Sequence, residues 1–376
     1  MSDGELIGYE SLITPIFEWV QESEWMPTFQ DYIEKYFAEL SELTSVPAIA
    51  VIQSLPRLFT SKAYRSCFES FITKSFGTPS RSPIEDWLSE MEDQVTEMEV
   101  NYLKAFLVSV PSIYQVVQRI PDESITLRER SNTTGPIQIP DSGSTSALSE
   151  GDFIVTRIVT LDEQHHLSGT VLTLNETLLH MFDEGFEAEV KEILRSVEKY
   201  LQKDPRQRSI ARQKAKVSMA PLMASMWVGM VFGEASPELD EDESDEGLES
   251  EELGSGYIAR ITFAGNSSEV ATLLDGWSDV NRPISNEFFW RWMPGDSKVD
   301  VAIWMWDPEV WVETSNKEHL DKVLASIGEL LGDRIEDVDI EELMDEFGDE
   351  FDFELDDEFE DDDLESSSKV ADNPPA

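Results

Sequence analysis

The histidines come nearest, by type and spacing, to a metal-binding or catalytic pattern. His165 and His166 follow Asp162 and Glu163, and imidazole and carboxylate groups are common metal ligands. Adjacent residues of a strand point to opposite faces, so these side chains meet at one ion only if the chain turns there. A metal site and a polar hairpin tip both fit the pattern. We predict the hairpin tip, with neither a metal nor a cofactor.

Other motifs of common enzyme chemistry are missing from the sequence. There is no Gly-x-Ser-x-Gly, no phosphate-binding Gly-x-x-x-x-Gly-Lys, no His-Glu-x-x-His and no Gly-x-Gly-x-x-Gly. The single cysteine, Cys67, excludes an internal disulfide and a zinc site built from cysteines. Neither residue adjacent to it in the sequence is basic or a histidine, so nothing next to it would activate its thiol. The pattern favours a protein without catalytic activity.

Charge is the most unusual property of the chain, which has 78 acidic and 28 basic residues and a formal net charge of −50. Two runs lack Lys and Arg, with 11 acids between Glu234 and Glu252 and 18 between Glu336 and Asp363. Such a surface repels nucleic-acid phosphate and anionic lipid and attracts basic proteins and cations. We expect no direct binding to nucleic acid or membrane. Divalent cations would bind weakly, because neither run has the spacing of a calcium loop.

The second acidic run also contains aromatic residues. Phe347, Phe351, Phe353 and Phe359 are interleaved with acids, as in segments that fold onto basic, apolar grooves. The run is a docking or autoinhibitory tail, a passive solubilising tail, or an imitation of a nucleic-acid backbone. Solubility or a salty habitat would also account for acidity throughout the chain. We favour the docking tail and take the four phenylalanines as candidate partner-binding residues.

One stretch, residues 203–216, is basic. It includes Arg206, Arg208 and Arg212, which we take as candidate binding residues. The acidic tail therefore has two candidate partners, a basic surface of another protein in trans or this stretch in cis.

Tryptophans are concentrated between residues 290 and 311. Trp290 and Trp292 share one face of a predicted strand, and Trp304 and Trp306 share a face of the next. Such a set is either a platform on which bases or sugars stack or a packed contact between strands. Base stacking conflicts with the charge, so we favour packing and keep these four residues as secondary candidates for partner binding.

The elements that would position these residues form an α+β protein. Helical spacing of apolar residues predicts a helical region over 1–110. Short β-type runs within 111–232 predict a small β-barrel-like region, followed by helices. An acidic linker over 233–256, a β+α module over 257–335 and a disordered acidic tail over 336–376 complete the predicted layout.

Local signals place some boundaries more closely. Ser82-Pro83, followed by two acids, predicts the start of a helix. Ser315 lies three residues before Glu318, a spacing that predicts a capping box at the start of another helix. Residues 131–150 are rich in Ser, Thr, Gly and Pro, which predicts an exposed loop.

The sequence indicates a cytoplasmic protein. Its first residues, MSDGELIGYE, lack the basic start and apolar stretch of a signal peptide. The longest apolar stretch, residues 219–232, is shorter than the roughly 20 residues needed to span a bilayer.

Several short motifs are shared with a known group of proteins. They are YLKA at 102–105, ITLRE at 125–129, EGDFIVTRIV at 150–159 and VETSN at 312–316. Their order resembles uncharacterised bacterial proteins that often carry a SEC-C-type zinc motif. The resemblance implies a helical N-terminal part, a small β region and a terminal β+α module, but no function. The zinc motif needs several Cys or His ligands, and with only Cys67 this chain does not match it.

We expect a protein-interaction or adaptor protein whose acidic-aromatic tail faces the partner. One alternative is a nucleic-acid mimic that inhibits a DNA-binding protein, which predicts competition with DNA. Another is an enzyme of unrecognised class with a carboxylate and tryptophan site, which predicts a concave site with paired carboxylates near residues 290–311.

Overall fold

The computed structural model describes residues 9–121, 123–130, 135–140, 145, 147–162, 164–198, 205–235, 256–282, 288–293, 301–306 and 308–343. Within them the chain forms helices and antiparallel sheets, so the predicted α+β class is confirmed. Most of the predicted acidic linker and tail, residues 236–255 and 344–376, lies outside the described residues.

Helices fill the first part of the described chain, as the apolar spacing predicts. Leu12, Ile16 and Val20 recur every four residues on α1 and are at most 2% exposed. Helix α6 starts where Ser82-Pro83 predicts, and its first turn is a capping box, in which the Glu85 N–H donates to Ser82 Oγ and the Ser82 N–H donates to the Glu85 carboxylate. The helices are α1 (Tyr9–Glu22), α2 (Met26–Tyr36), α3 (Ala38–Thr44), α4 (Ala48–Gln53), α5 (Arg57–Ile72), α6 (Pro83–Glu90) and α7 (Glu97–Val108).

A curled antiparallel sheet follows the helices. Its strands are β1 (Pro111–Ile120), β2 (Ser124–Glu129), β3 (Ile137–Pro140), β4 (Phe153–Leu161), β5 (Gln164–Leu167) and β6 (Leu172–Leu174). They pair in the order β3-β2-β1-β4-β5, with β6 also paired to β4, and β3 and β5 at the two ends approach each other. The sheet curls around a small core that includes Val116, Leu127 and Ile154, so this part has the predicted barrel-like form.

The prediction of an exposed loop over 131–150 is wrong where β3 forms. Ile139 is 2% exposed and lies opposite Ile125 in the ladder, and Leu148 is 3% exposed. The Ser, Thr, Gly and Pro content of the stretch hid two isoleucines at alternate positions, which suffice for a short strand against a curled sheet.

Two long helices pack against the N-terminal helices and the curled sheet. They are α8 (Glu176–Glu198) and α9 (Pro205–Ala235). The α9 side chains Met219, Met223 and Trp227 are at most 6% exposed, so α9 is a core helix for much of its length. It contacts α3, α5 and α8 as well as β1 and β6.

The C-terminal part is a second antiparallel sheet with two helices on one face. Its elements are β7 (Gly256–Phe263), α10 (Ser267–Asp275), β8 (Val280–Asn281), β9 (Phe289–Trp292), β10 (Val301–Trp306), β11 (Glu309–Thr314), α11 (Lys317–Leu331), a short 3-10 turn (Gly332–Arg334) and β12 (Ile335–Leu343). The strands pair in the order β12-β7-β11-β10-β9-β8. Strands β9 and β10, which carry the tryptophans, pair antiparallel.

Two predicted boundaries need correction here. The acidic tail predicted from residue 336 begins as strand β12, because Val338 and Ile340 alternate with acids at the period of a strand and pair with β7. The residue that caps α11 is Asn316 rather than Ser315, since its side-chain oxygen accepts from the N–H groups of Glu318 and His319.

The C-terminal sheet packs against the N-terminal helices through its other face. The ring of Phe289 on β9 lies edge to face with Phe59 on α5, which in turn contacts Trp227 of α9. The backbone N–H of Arg57 donates to Glu313 Oε2 on β11 at 3.1 Å. One apolar core therefore runs from the helical region into the C-terminal sheet.

Candidate functional site

The described start of the acidic tail is the outermost strand of the C-terminal sheet. Within the described residues, β12 has β7 as its one neighbour. The carboxylates of Glu336, Asp337, Asp339, Glu341 and Glu342 are all on exposed residues. The outer side of this strand is therefore an acidic sheet edge, which we call the β12 edge (residues 335–343).

The predicted tryptophan set divides between the two faces of the sheet. Ile303 lies opposite Trp290, and Trp304 lies opposite Phe289, so Trp290 and Trp304 point to opposite faces. Trp290 is fully buried and its indole N–H donates to Asp275 Oδ1 at 2.8 Å. The guanidinium of Arg282 lies over the Trp290 ring and pairs with the same carboxylate.

The other tryptophans are also packed. Trp292 and Trp304 are each 5% exposed, and Trp304 stacks on Trp311 with ring centroids 6.2 Å apart. Trp306 pairs with Glu309 through the backbone, and its side chain lies outside the description. Trp290, Trp292 and Trp304 are core residues, as the packing interpretation predicts. Their candidate role in partner binding is corrected, because they are not on the surface.

The basic stretch lies at the start of α9, and two of its three described basic side chains are only partly open to solvent. Lys216 Nζ pairs with Glu129 on β2, and Ser112 Oγ donates to the same carboxylate oxygen at 2.6 Å. Arg212 is half-buried and Lys214 is exposed. The backbone of Arg206 and Arg208 belongs to the first turns of α9, whereas their side chains lie outside the description.

The four tail phenylalanines cannot be placed. They are Phe347, Phe351, Phe353 and Phe359, and they lie outside the described residues.

The histidine pair lies at a hairpin between β4 and β5, as predicted. Thr160 Oγ1 and His165 Nδ1 are 3.0 Å apart, whereas the His166 ring faces Tyr102, with centroids 6.3 Å apart. Partial burial and the neighbouring His165 lower the pKa of His166. Among the described residues, no group of three or more His, Cys, Asp and Glu side chains is arranged to hold a metal ion.

A buried ion pair is the most developed polar arrangement in the described chain. Glu69 on α5 and Arg157 on β4 are 3% and 6% exposed, and the Glu69 Oε2 to Arg157 Nε distance is 3.4 Å. Glu69 Oε1 accepts from both the backbone N–H and the hydroxyl of Thr170, at 3.2 and 2.8 Å. Charges this deeply buried persist only when paired and hydrogen-bonded.

Arg157 extends the network to two further elements. Its Nη1 donates to the carbonyl oxygen of Ser109, just after α7, at 2.8 Å. Its Nη2 lies 3.4 Å from the hydroxyls of Ser70 on α5 and of Thr73, the residue just after α5. The guanidinium also lies over the Phe106 ring, 5.6 Å from its centroid. One side chain thus joins the helical region to the curled sheet.

The groups around this ion pair are held neutral. Burial raises the pKa of Tyr36 to about 12, and it also raises the pKa of Tyr32 and of the Cys67 thiol. The nearby Glu69 charge adds to the effect of burial on the pKa of Tyr102. A buried neutral thiol is a poor nucleophile.

Each partner of this unpredicted pair leaves a signal in the sequence. Arg157 is the one charged residue of the strand FIVTRIVTL. Glu69 stands between Phe68 and Phe71 on a helix face that is otherwise buried. Isolated charges in buried stretches predict buried pairs, but the sequence does not indicate which charge meets which.

One helix among the described residues is long and apolar enough to cross a membrane, judged by length and composition. It covers Ile210–Gly233, with a mean hydropathy of 1.3, and 56% of its most apolar part is buried within the protein. A single helix of this kind is weak evidence, since a core helix of a soluble protein meets the same criteria.

Comparisons with known proteins identify similarity without a function. A model of a family of unknown function, DUF7986, matches residues 80–210, which span α6 to the start of α9 and include Arg157 but not Glu69. No curated protein matches. The solved intact alpha subunit of aIF2 from Pyrococcus abyssi aligns with 63% of this chain and 97% of its own at 14% identity. Its TM-score of 0.18 is too low to support an argument about fold or function.

Proposed function

We propose that this protein works through protein contacts and binds a basic partner in trans with its acidic C-terminal region. The supporting observation is the β12 edge, where the acidic region begins on a folded sheet and presents exposed carboxylates at fixed spacing. A fixed row of charges binds an oppositely charged partner more tightly than the same charges on a free chain, because less conformational entropy is lost on binding.

The ion pair of Lys216 favours a partner in trans over the basic stretch in cis. Lys216 is already neutralised by Glu129, and Arg212 is half-buried, so these two bases of the stretch are less open to the tail than an exposed surface would be. A separate basic protein meets no such competition.

The test compares the full chain with a chain that ends at Leu343. Both would capture proteins from native lysate at low salt and at about 0.5 M NaCl. We expect basic proteins to bind the full chain more strongly and to be released by salt, because exposed charges are screened. Equal, salt-sensitive binding by both chains would assign the partner to the β12 edge alone, which both chains retain. The same salt-resistant partners on both chains would assign the function to another surface.

Two matched variants separate charge from aromatic contacts. In one, the acids of residues 345–363 become Asn and Gln; in the other, the four phenylalanines of that segment become Ser. If only the variant without the acids loses the captured partners, the tail binds through charge alone. If both variants lose them, the tail folds onto an apolar groove of the partner. A chain ending at Arg334 is a poor control, since it removes β12 and exposes the side of β7 that β12 covers.

One observation supports a nucleic-acid mimic as the second candidate. Asp337, Asp339 and Glu341 occupy alternate positions of β12 and form a regular row of charge on one face. This candidate predicts that duplex DNA displaces the captured partner. A partner that stays bound in excess DNA would exclude mimicry.

A further inference from the structure

Strand β12 leaves one side of its backbone without a partner among the described residues. It ends the strand order of the C-terminal sheet and pairs with β7 along 335–343. Half of the N–H and C=O groups of an edge strand point away from the sheet, where another extended chain can bind them. A strand of this length has room for such a chain.

The two faces of β12 differ in chemistry. Val338 and Ile340 lie opposite Ile261 and Ala259, on the face that α10 and α11 cover. Their β7 partners are at most 1% exposed, yet Val338 and Ile340 are each 43% exposed. The helices therefore bury these two residues of β7 and leave Val338 and Ile340 as a partly exposed apolar surface on β12.

The opposite face of β12 is acidic. Asp337, Asp339 and Glu341 lie there beside Thr262, Arg260 and Ile258 of β7. Arg260 pairs with Asp339 at 3.1 Å and also approaches Glu309 on β11, so this guanidinium is shared between two carboxylates. The face keeps a surplus of negative charge.

The geometry points to strand addition at the β12 edge by an extended segment of another protein in which Lys or Arg alternates with apolar residues. Paired strands place opposite residues on the same face. The basic side chains would pair with Asp337, Asp339 and Glu341. The apolar side chains would cover Val338 and Ile340. This inference rests on the proposed function and specifies the form of its partner.

Charge argues against two other occupants. A second copy of β12 would bring its own carboxylates against this row, and like charges opposite each other destabilise a pair. The chain's own residues 345–363 are densely acidic and meet the same repulsion. A basic segment is the occupant whose charge complements the edge.

Fluorescence anisotropy of two labelled peptides tests the inference on the full chain. One peptide of about ten residues alternates Lys and Val, and the other has the same composition with all Lys before all Val. We expect the alternating peptide to bind about tenfold more tightly, because it alone sorts charge and apolar groups onto two faces. The variant V338K/I340K should reduce its affinity to that of the permuted peptide.

Matched variants keep the test interpretable. T272K/A325K adds the same charge at exposed positions of α10 and α11, and should leave the preference for the alternating peptide intact. V338T/I340T removes apolar contact while retaining strand-forming residues, and should also lower the preference.

Other outcomes would overturn the inference in distinguishable ways. Equal affinity for both peptides, lost in salt, would leave the proposed function standing and remove strand addition. Binding of neither peptide at low salt would contradict both. Tighter binding by a chain ending at Leu343 would assign the edge to the chain's own tail, and a dimer that the alternating peptide does not dissociate would assign it to a second copy.

Discussion

Phe289 on β9 meets Phe59 on α5 edge to face, with ring centroids 4.8 Å apart and an interplanar angle of 70°. Both side chains are fully buried. The contact joins the C-terminal sheet to the N-terminal helices across the chain. The two regions therefore share a core, although their sequences are separated by an acidic run.

Phe289→Ala should reduce the free energy of unfolding by about 3–5 kcal/mol, because it leaves a cavity in the shared core. Guanidinium denaturation followed by tryptophan fluorescence measures the loss. Met293→Ala, at a residue that is 44% exposed just after β9, is the control and should have little effect. Equal effects of the two substitutions would contradict a shared core at Phe289.

The buried pair of Glu69 and Arg157 should behave as one unit. Glu69→Gln or Arg157→Met alone should cost about 3–5 kcal/mol, since each leaves an uncompensated buried charge. The double variant should cost less than the two single losses together, with a coupling energy of roughly 1–3 kcal/mol. A double-mutant cycle in urea measures the coupling, and strict additivity would show that the pair contributes nothing as a pair.

The Cys67 thiol should not react in the folded protein. It is fully buried, and burial raises its pKa, so both access and thiolate formation are suppressed. Ellman's reagent at pH 8 should detect no thiol in the native state and one per chain in guanidinium, with C67S as the blank. Fast labelling of the native protein would mean that α5 opens readily.

The capping box of α7 should make part of the stability depend on pH. The Thr96 N–H and hydroxyl donate to the Glu99 carboxylate at 2.6 and 2.7 Å, and these bonds lower the pKa of Glu99. A carboxyl with a lowered pKa in the folded state stabilises it above the unfolded pKa, about 4.3, and this contribution disappears as the pH falls through the folded value.

Glu99→Gln should therefore cost about 0.5 kcal/mol or less at pH 7, given the exposure of the site, and nothing below the folded pKa. Urea denaturation at pH 7 and at acidic pH measures the difference. Glu97→Gln removes a carboxylate from the same turn without touching the cap. A loss for Glu99→Gln that does not change with pH would contradict the role of its charge.

The spacing of apolar residues predicts the helices, the strands and the packing of Trp290 and Trp292. When one face of a helix or strand is buried, apolar residues recur in the sequence at the period of that element. Composition was misleading at β3 and β12. In β12, acids precede, separate and follow Val338 and Ile340, so a strand reads as an acidic tail.

Contacts between distant elements could not be predicted. Nothing near Glu69 in the sequence identifies Arg157 or Thr170 as its partners, because their meeting depends on how α5 packs across β4. The same holds for Lys216 and Glu129. In the basic stretch, which the sequence predicts as a docking surface, the charge of Lys216 is already neutralised by Glu129. Only the tertiary structure reveals this contact.

The hydrogen bonds of Arg157 have a consequence for how the protein opens. This guanidinium bridges α5, the end of α7 and β4. Separating the curled sheet from the helices would therefore leave Glu69 and Arg157 each without the opposite charge that it pairs with. A small separation of the helices from the curled sheet breaks this pair and so requires as much free energy as a large one. The amide protons of α5 and β4 should therefore exchange with solvent at the same rate and in the same event. In hydrogen exchange the two elements form one cooperative unit, whatever boundary the sequence draws between them.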